Sequence, residues 1–214
     1  MNGARRAAGR NRSADTRRRI VEAATRLFVE RGYLETTMSG LAGAAGVAVQ
    51  TLYLSFDGKA AVLEAALAAQ AENHPSGWVP DADGPTLLAA HVSATAAAVA
   101  RQHPLAAVLR AAAADPEPAA LLARSRRDAL AAHARAVDEL AERPGFTVLV
   151  SLQRATEMAA ALLSPETYGL LVADQGWTVP DWVDWATRHL AVDLYPGSSG
   201  QTERVGPTEE VCGG

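Results

Sequence analysis

Cysteine is almost absent from this 214-residue chain. The single one, Cys212, stands in a Gly-ended tail, which rules out a disulfide framework and fits a reducing compartment, the cytoplasm. Lys59 is the only lysine, the other basic residues being Arg. Aromatic residues make up 5%, and alternating β-branched runs are missing, so strands are not expected. No apolar run approaches the roughly 20 residues that a membrane helix needs, because Arg, His and Pro interrupt the Ala-rich stretches. The basic N-terminus leads into no apolar segment and is not a secretory signal. There is no glycine-rich phosphate loop, no G-x-S-x-G elbow and no Cys/His pair. The five His lack metal-ligand spacing, so no catalytic residue, metal site or cofactor is nominated.

What is present is helix-forming and unevenly charged. Residues 1–60 carry ten basic groups against five acidic ones, a net of +5, whereas residues 61–214 carry ten Arg against nineteen Asp or Glu, a net of −9. A basic head on an acidic body suggests that the head meets a polyanion. Ala, Leu, Arg and Glu at helical spacing predict an all-α chain. A disordered basic arm (1–14) precedes a three-helix head (15–60), a helical body (61–195) and a disordered tail (196–214). In the head, helices are expected from about Thr16 to Arg31, from a Thr37 cap to Gly46, and from Val49 to Phe56, with a linking helix from Lys59 to Asn73. The Pro- and Gly-rich "NHPSGWVPDADGP" is the connector to the body. Body helices are expected at about 85–102, 104–114, 117–142, 146–163, 165–174 and 180–194, several with Pro near the start, where its missing N–H costs nothing.

Residues Met38 to Phe56 carry the functional signal. Two short helices joined by a tight turn need a small residue where they cross (Ala42), a glycine at the turn (Gly46) and apolar residues that hold the second helix down (Val47, Leu52, Phe56). That is the order of a helix-turn-helix, whose second helix enters the DNA major groove. With Leu52 and Phe56 inward, the outer side shows Ala48, Gln50, Thr51, Tyr53, Leu54 and Ser55. Gln pairs bidentately with adenine, Thr and Leu touch a thymine methyl, and Tyr and Ser bond phosphate oxygens.

The stretch "TTMSGLAGAAGVAVQTLYLSFDGKAAVL" resembles the DNA-binding head of TetR-like transcriptional regulators, usually T-T-x-x-x-[IL]-A-x-x-A-G-V-S-x-x-T-[IL]-Y-x-[HY]-F-x-x-K-x-x-L. The likeness covers about Thr16 to Gln70 and includes Thr36, Thr37, Ala42, Gly46, Tyr53, Phe56 and Lys59. Ala48 stands where Ser is common, and Ser55 where His or Tyr is usual. Near the other end, "SPETYGLLVADQGWTVPDWVDWATRHL" is similar to the C-terminal end of many members. The resemblance implies that the first three helices bind DNA and that the body holds a small-molecule pocket and a two-helix dimer face. It also implies that Lys59 meets a phosphate. Thr37, at a helix N-terminus, is placed to do the same.

In the body, the polar residues His91, Thr95, Arg126, Arg127, His133 and Glu157 among apolar neighbours are the pocket candidates. Leu149, Leu152, Ala155, Ala159 and Leu162 mark one face of a penultimate helix. Trp182, Trp185 and His189 share one side of the last helix, opposite Val183, Ala186, Leu190 and Leu194. A helix apolar on two sides needs two partners, so these faces predict a homodimer. The expected activity is a ligand-responsive repressor of a near-palindromic double-stranded DNA operator, soluble and free of membrane. Two alternatives stay open: a helical small-molecule-binding protein or enzyme with a vestigial head, and a regulator controlled by a protein partner.

Overall fold

The computed structural model describes residues 2–71 and 81–197. Among them there is no strand, and no helix is long and apolar enough to cross a membrane. The head comprises α1 (Asn2–Glu35), α2 (Met38–Ala45) and α3 (Val49–Ser55), followed by α4 (Lys59–Ala71). Ile20, Ala24 and Phe28 repeat every fourth residue along α1 and are fully buried. They meet Leu41 and Ala42 of α2, Leu52 of α3 and Leu63 of α4 in one cluster. Each buried Leu or Phe there contributes on the order of 2 kcal/mol. Gly32 (φ 75°, ψ 178°) breaks α1 one turn before its last residue, at the place expected from sequence.

The body comprises α5 (Gly84–Ala111), α6 (Pro116–Ala141), α7 (Leu152–Leu162), α8 (Pro165–Tyr168), which runs on into a π-helical turn (Gly169–Asp174), and α9 (Val179–Leu194). All of these α-helices except α6 start on a side-chain cap. The Asp83 carboxylate accepts from the Thr86 N–H at 2.8 Å, and Thr178 and Asp181 form a reciprocal capping box, each satisfying N–H groups that the helix leaves unpaired. Pro85, Pro116, Pro165 and Pro180 sit in first turns, as expected. Trp182 is fully buried, its indole N–H donating to the Leu162 carbonyl at 3.1 Å. The Tyr195 hydroxyl, also buried, donates to the Leu140 carbonyl at 2.7 Å.

Three expectations need correction. The arm over 1–14, expected to be disordered, is helical from Asn2, because Ala and Arg are strong helix formers and extend an already nucleated α1. The helices expected at 85–102 and 104–114 are one, α5, with Pro104 inside it. Proline removes one N–H, but Leu105 and Leu109 just beyond it are buried and hold the helix on course. The helix expected from Phe146 starts only at Leu152: residues 142–151 form turns, and Ser151 supplies the cap. The core also divides where sequence does not. Leu105, Leu109, Ala112 and Leu121 pack into the head's cluster, whereas Val99 and the residues before it in α5 belong to the body's. Most of the connector, and the tail from 198, lie outside the described residues.

Candidate nucleic-acid interface

The α2–turn–α3 unit is built from three local devices. Thr36 is buried and donates its hydroxyl to the Gly32 carbonyl at 2.7 Å. Thr37 stays exposed and its Oγ1 accepts from the Gly40 N–H at 3.0 Å, which caps α2 and leaves the hydroxyl proton free to donate outward. Gly46 then takes the left-handed conformation (φ 65°, ψ 40°), its N–H and that of Val47 closing on the Gly43 and Ala42 carbonyls. A side chain is strained at that φ, and a Cβ there would lie 2.7 Å from the Arg19 guanidinium.

α3 lies on this turn with Leu52 and Phe56 buried. Its outer face presents exposed Gln50, Tyr53 at 55% exposure and Leu54 at 82%. Ala48, its N-cap, is also exposed, and Thr51 and Ser55 are half-buried. The Ser55 hydroxyl donates back to the Thr51 carbonyl at 2.9 Å, so it is left as an acceptor. Val49, which the sequence reading passed over, is exposed beside Gln50. Its signal was only that a helix of seven residues buries a single side chain, Leu52. A short helix with an exposed, uncharged and partly apolar face matches a groove reader.

The basic residues of the head divide sharply. Lys59 donates to the Tyr33 carbonyl at 2.6 Å and lies 4.2 Å over the Tyr33 ring, with Leu34's carbonyl at 3.4 Å. Burial pushes its ammonium below the ordinary lysine range, against the opposing pull of Asp115, Glu117 and Glu35. Arg17 donates to the Ser55 carbonyl and Arg19 to the Ala45 and Gly46 carbonyls. Arg18, between them, pairs with Asp15 and Glu22 on its own helix. None of the three arginines was singled out by the sequence reading. An open cleft of about 310 Å³ lies beside the turn, lined by Arg19, Glu22, Arg26 and residues 43–46.

The body candidates separate as clearly. His91 on α5 and His133 on α6 meet, Nε2 to Nδ1 at 3.3 Å. His133 is buried, and burial, with His91 adjacent, pulls its imidazole down to about 4. Burial lowers His91 as well. Both are neutral at pH 7. Thr95 follows His91 one turn along α5 and is half-buried. Arg126 and Glu157 are not brought to this pair: Arg126 bonds Glu166 at 2.8 Å, and Glu157 pairs with Arg154 and Gln153, both at the surface. Of the expected dimer residues, Trp182, Ala155 and Ala159 are buried inside their own chain and have no surface to offer a partner. The small side of α7 packs inward, which corrects the assignment of its face. Leu149 lies outside the helix and is 87% exposed. Leu152 and His189 are exposed, and Leu162 and Trp185 half-buried.

Residues 20–66 match the family model of the bacterial regulatory proteins of the tetR family. Over 61 residues the chain is 41% identical to the HTH-type transcriptional regulator SrpR of Pseudomonas putida. The match spans 28% of this chain and 28% of that protein, so the chain is matched to about a quarter of this curated relative. Its whole fold is similar to NalD, the secondary repressor of the MexAB-OprM multidrug efflux pump in Pseudomonas aeruginosa (TM-score 0.68, 16% identity, 87% of this chain and 98% of that one). It is also similar to FadR of Bacillus subtilis in complex with stearoyl-CoA (TM-score 0.66, 22% identity, 82% and 97%). At these identities the likeness shows a shared fold.

Proposed function

We propose that this chain, which carries a tetR-family head on residues 20–66, is a DNA-binding transcriptional regulator. In this reading it works in the cytoplasm as a homodimer, most simply a repressor, and leaves its operator when a small molecule occupies the body. One observation carries the proposal: the α2–turn–α3 unit holds an uncharged face of Gln50, Tyr53 and Leu54 outward while Leu41, Leu52 and Phe56 behind it are buried. An exposed Leu on such a short helix has no structural purpose in the lone chain.

In the complex, α3 lies in the major groove and a second copy places its own α3 about one helical turn, roughly 34 Å, away. Gln50 reads adenine, and Leu54 and Thr51 approach a thymine methyl. Tyr53, the backbone at Ala48, Thr37 at the start of α2, and the donors of Lys59 not held by Tyr33 meet phosphates, and Ser55 joins them when its hydroxyl turns from the Thr51 carbonyl to donate outward. The dimer face is formed by the outer sides of α7 and α9, with Leu152, Leu162, Trp185 and His189, joined by exposed Leu149. The effector site is centred on His91, Thr95 and His133. FadR of Bacillus subtilis is a relative in fold whose structure holds stearoyl-CoA, which supports a body that binds small molecules. Regulation then needs only that the effector prefer the dimer geometry whose two α3 helices no longer fit adjacent grooves.

Selection of duplexes from a random pool by the full-length chain tests this directly. The expected result is enrichment of a near-palindromic site with strongly salt-dependent affinity. Retention of DNA with no sequence enriched above the starting pool would overturn the regulator reading and favour a small-molecule-binding protein with a vestigial head.

A further inference from the structure

We propose that Arg17 and Arg19 are positioning residues that bracket the recognition helix, and that their charge is not used on phosphate. The proposal rests on the regulator reading above. α2 and α3 have eight and seven residues, and neither has a basic residue in its own last turn. Helices this short are marginal alone, and their last carbonyls carry the negative end of the helix dipole without intrahelical partners.

Each of those ends receives an arginine from α1. Arg19 reaches the Ala45 carbonyl at 2.6 Å and the Gly46 carbonyl at 3.2 Å, at the turn where α2 hands over to α3. Arg17 reaches the Ser55 carbonyl at 3.0 Å and lies 4.2 Å over the Phe56 ring, at the other end of α3. The recognition helix is therefore held at its C-terminal end, and through the turn that leads into it, from the one helix α1. Gly46 fits the same picture, since a Cβ at that position would meet the Arg19 guanidinium. Arg18 provides the contrast. It carries the same charge on the same turn of α1, yet it engages only Asp15 and Glu22 of its own helix. A run of three arginines thus contains two clamps and one ordinary surface ion pair.

The test compares Arg17→Ala, Arg19→Ala and Arg18→Ala in the full-length chain. The affinities measured are those for the operator selected by the wild type and for a random-sequence duplex, over a series of salt concentrations. Nonspecific affinity is electrostatic, so it tracks phosphate contacts and not the pose of α3. Loss of either clamp should weaken operator binding about tenfold, comparable to a lost base contact. Random-duplex affinity and the salt slope should stay at wild-type values, and Arg18→Ala should change neither ratio nor slope. A parallel fall for both duplexes, with the slope flattened by about 0.9 per subunit contact, makes these residues phosphate ligands and overturns the assignment. Equal behaviour of all three variants overturns it too. Amide exchange over residues 38–56 of the DNA-free chain decides the bracket even if the wild type selects no operator. Faster exchange in the clamp variants than in Arg18→Ala supports it, and unchanged exchange overturns it.

Discussion

Acid should loosen the body through one buried pair. His133 is held at about 4 against an ordinary value of 6.5, with burial as the main cause and the neighbouring His91 as the second. Above pH 6.5 the imidazole is neutral in folded and unfolded chains alike, and it adds no pH dependence. As the pH falls below 6.5 the unfolded chain takes up the proton first, so stability drops steadily until the folded chain is protonated near pH 4. The difference corresponds to about 3 kcal/mol lost by pH 4, and about 2 kcal/mol already at pH 5. His91 is lowered by burial as well and acts in the same direction. Against a typical total of roughly 5–15 kcal/mol, that loss is large. Thermal midpoints followed by circular dichroism at fixed chain concentration, from pH 7.5 to pH 5, measure it. His133→Leu fills the site with apolar volume and strands one nitrogen of His91, which lowers the midpoint at pH 7.5. Its midpoint should nevertheless fall less steeply with acid than that of the wild type. The carboxylates contribute equally to both proteins and cancel in the comparison. Parallel curves for the two proteins over this range would refute the reasoning, because they would mean that His133 takes up its proton as readily folded as unfolded.

Gln50→Ala should cost about 1–3 kcal/mol on the selected operator and relax the preference at one base pair per half-site; repeating the selection with the variant checks both. Lys59→Ala removes the cation held between the Tyr33 carbonyl and ring and should lower stability by about 1 kcal/mol. If the proposed phosphate contact exists, the same variant also flattens the salt slope by about 0.9 per contact, and an unaltered slope leaves Lys59 only its role at the end of α1. Trp182→Ala should destabilise the chain by about 3–5 kcal/mol, as expected for a buried tryptophan. Leu152→Arg, at an exposed position, and Trp185→Arg, at a half-buried one, should yield monomers by light scattering. Dimers that survive both of these changes would move the interface elsewhere.

Local pattern carried much of this protein. Thr37, Gly46, Leu52 and Phe56 stand at spacings that by themselves dictate a capped helix, a left-handed turn and a second helix with one side held down. The outer face of α3 follows by subtraction, because on so short a helix whatever is not buried is offered outward. The all-helical class follows from composition, and the proline-marked helix starts from the missing N–H. Tertiary structure decided the rest, wherever a residue's role depends on what lies across from it. Arg17, Arg18 and Arg19 are identical in sequence terms, and only the placement of α2 and α3 makes clamps of two and an ion pair of the third. Trp182 and Trp185 share a helix and a residue type, yet three residues of helical rotation bury one and leave the other near the surface. Pro104 argues locally for a break, but Leu105 and Leu109 are needed in the head's core, and burial outweighs one lost hydrogen bond. His91 and His133 lie 42 residues apart and meet because α5 and α6 pack together. Periodicity states which way a side chain points along its own helix; it contains nothing about the helix that it will meet.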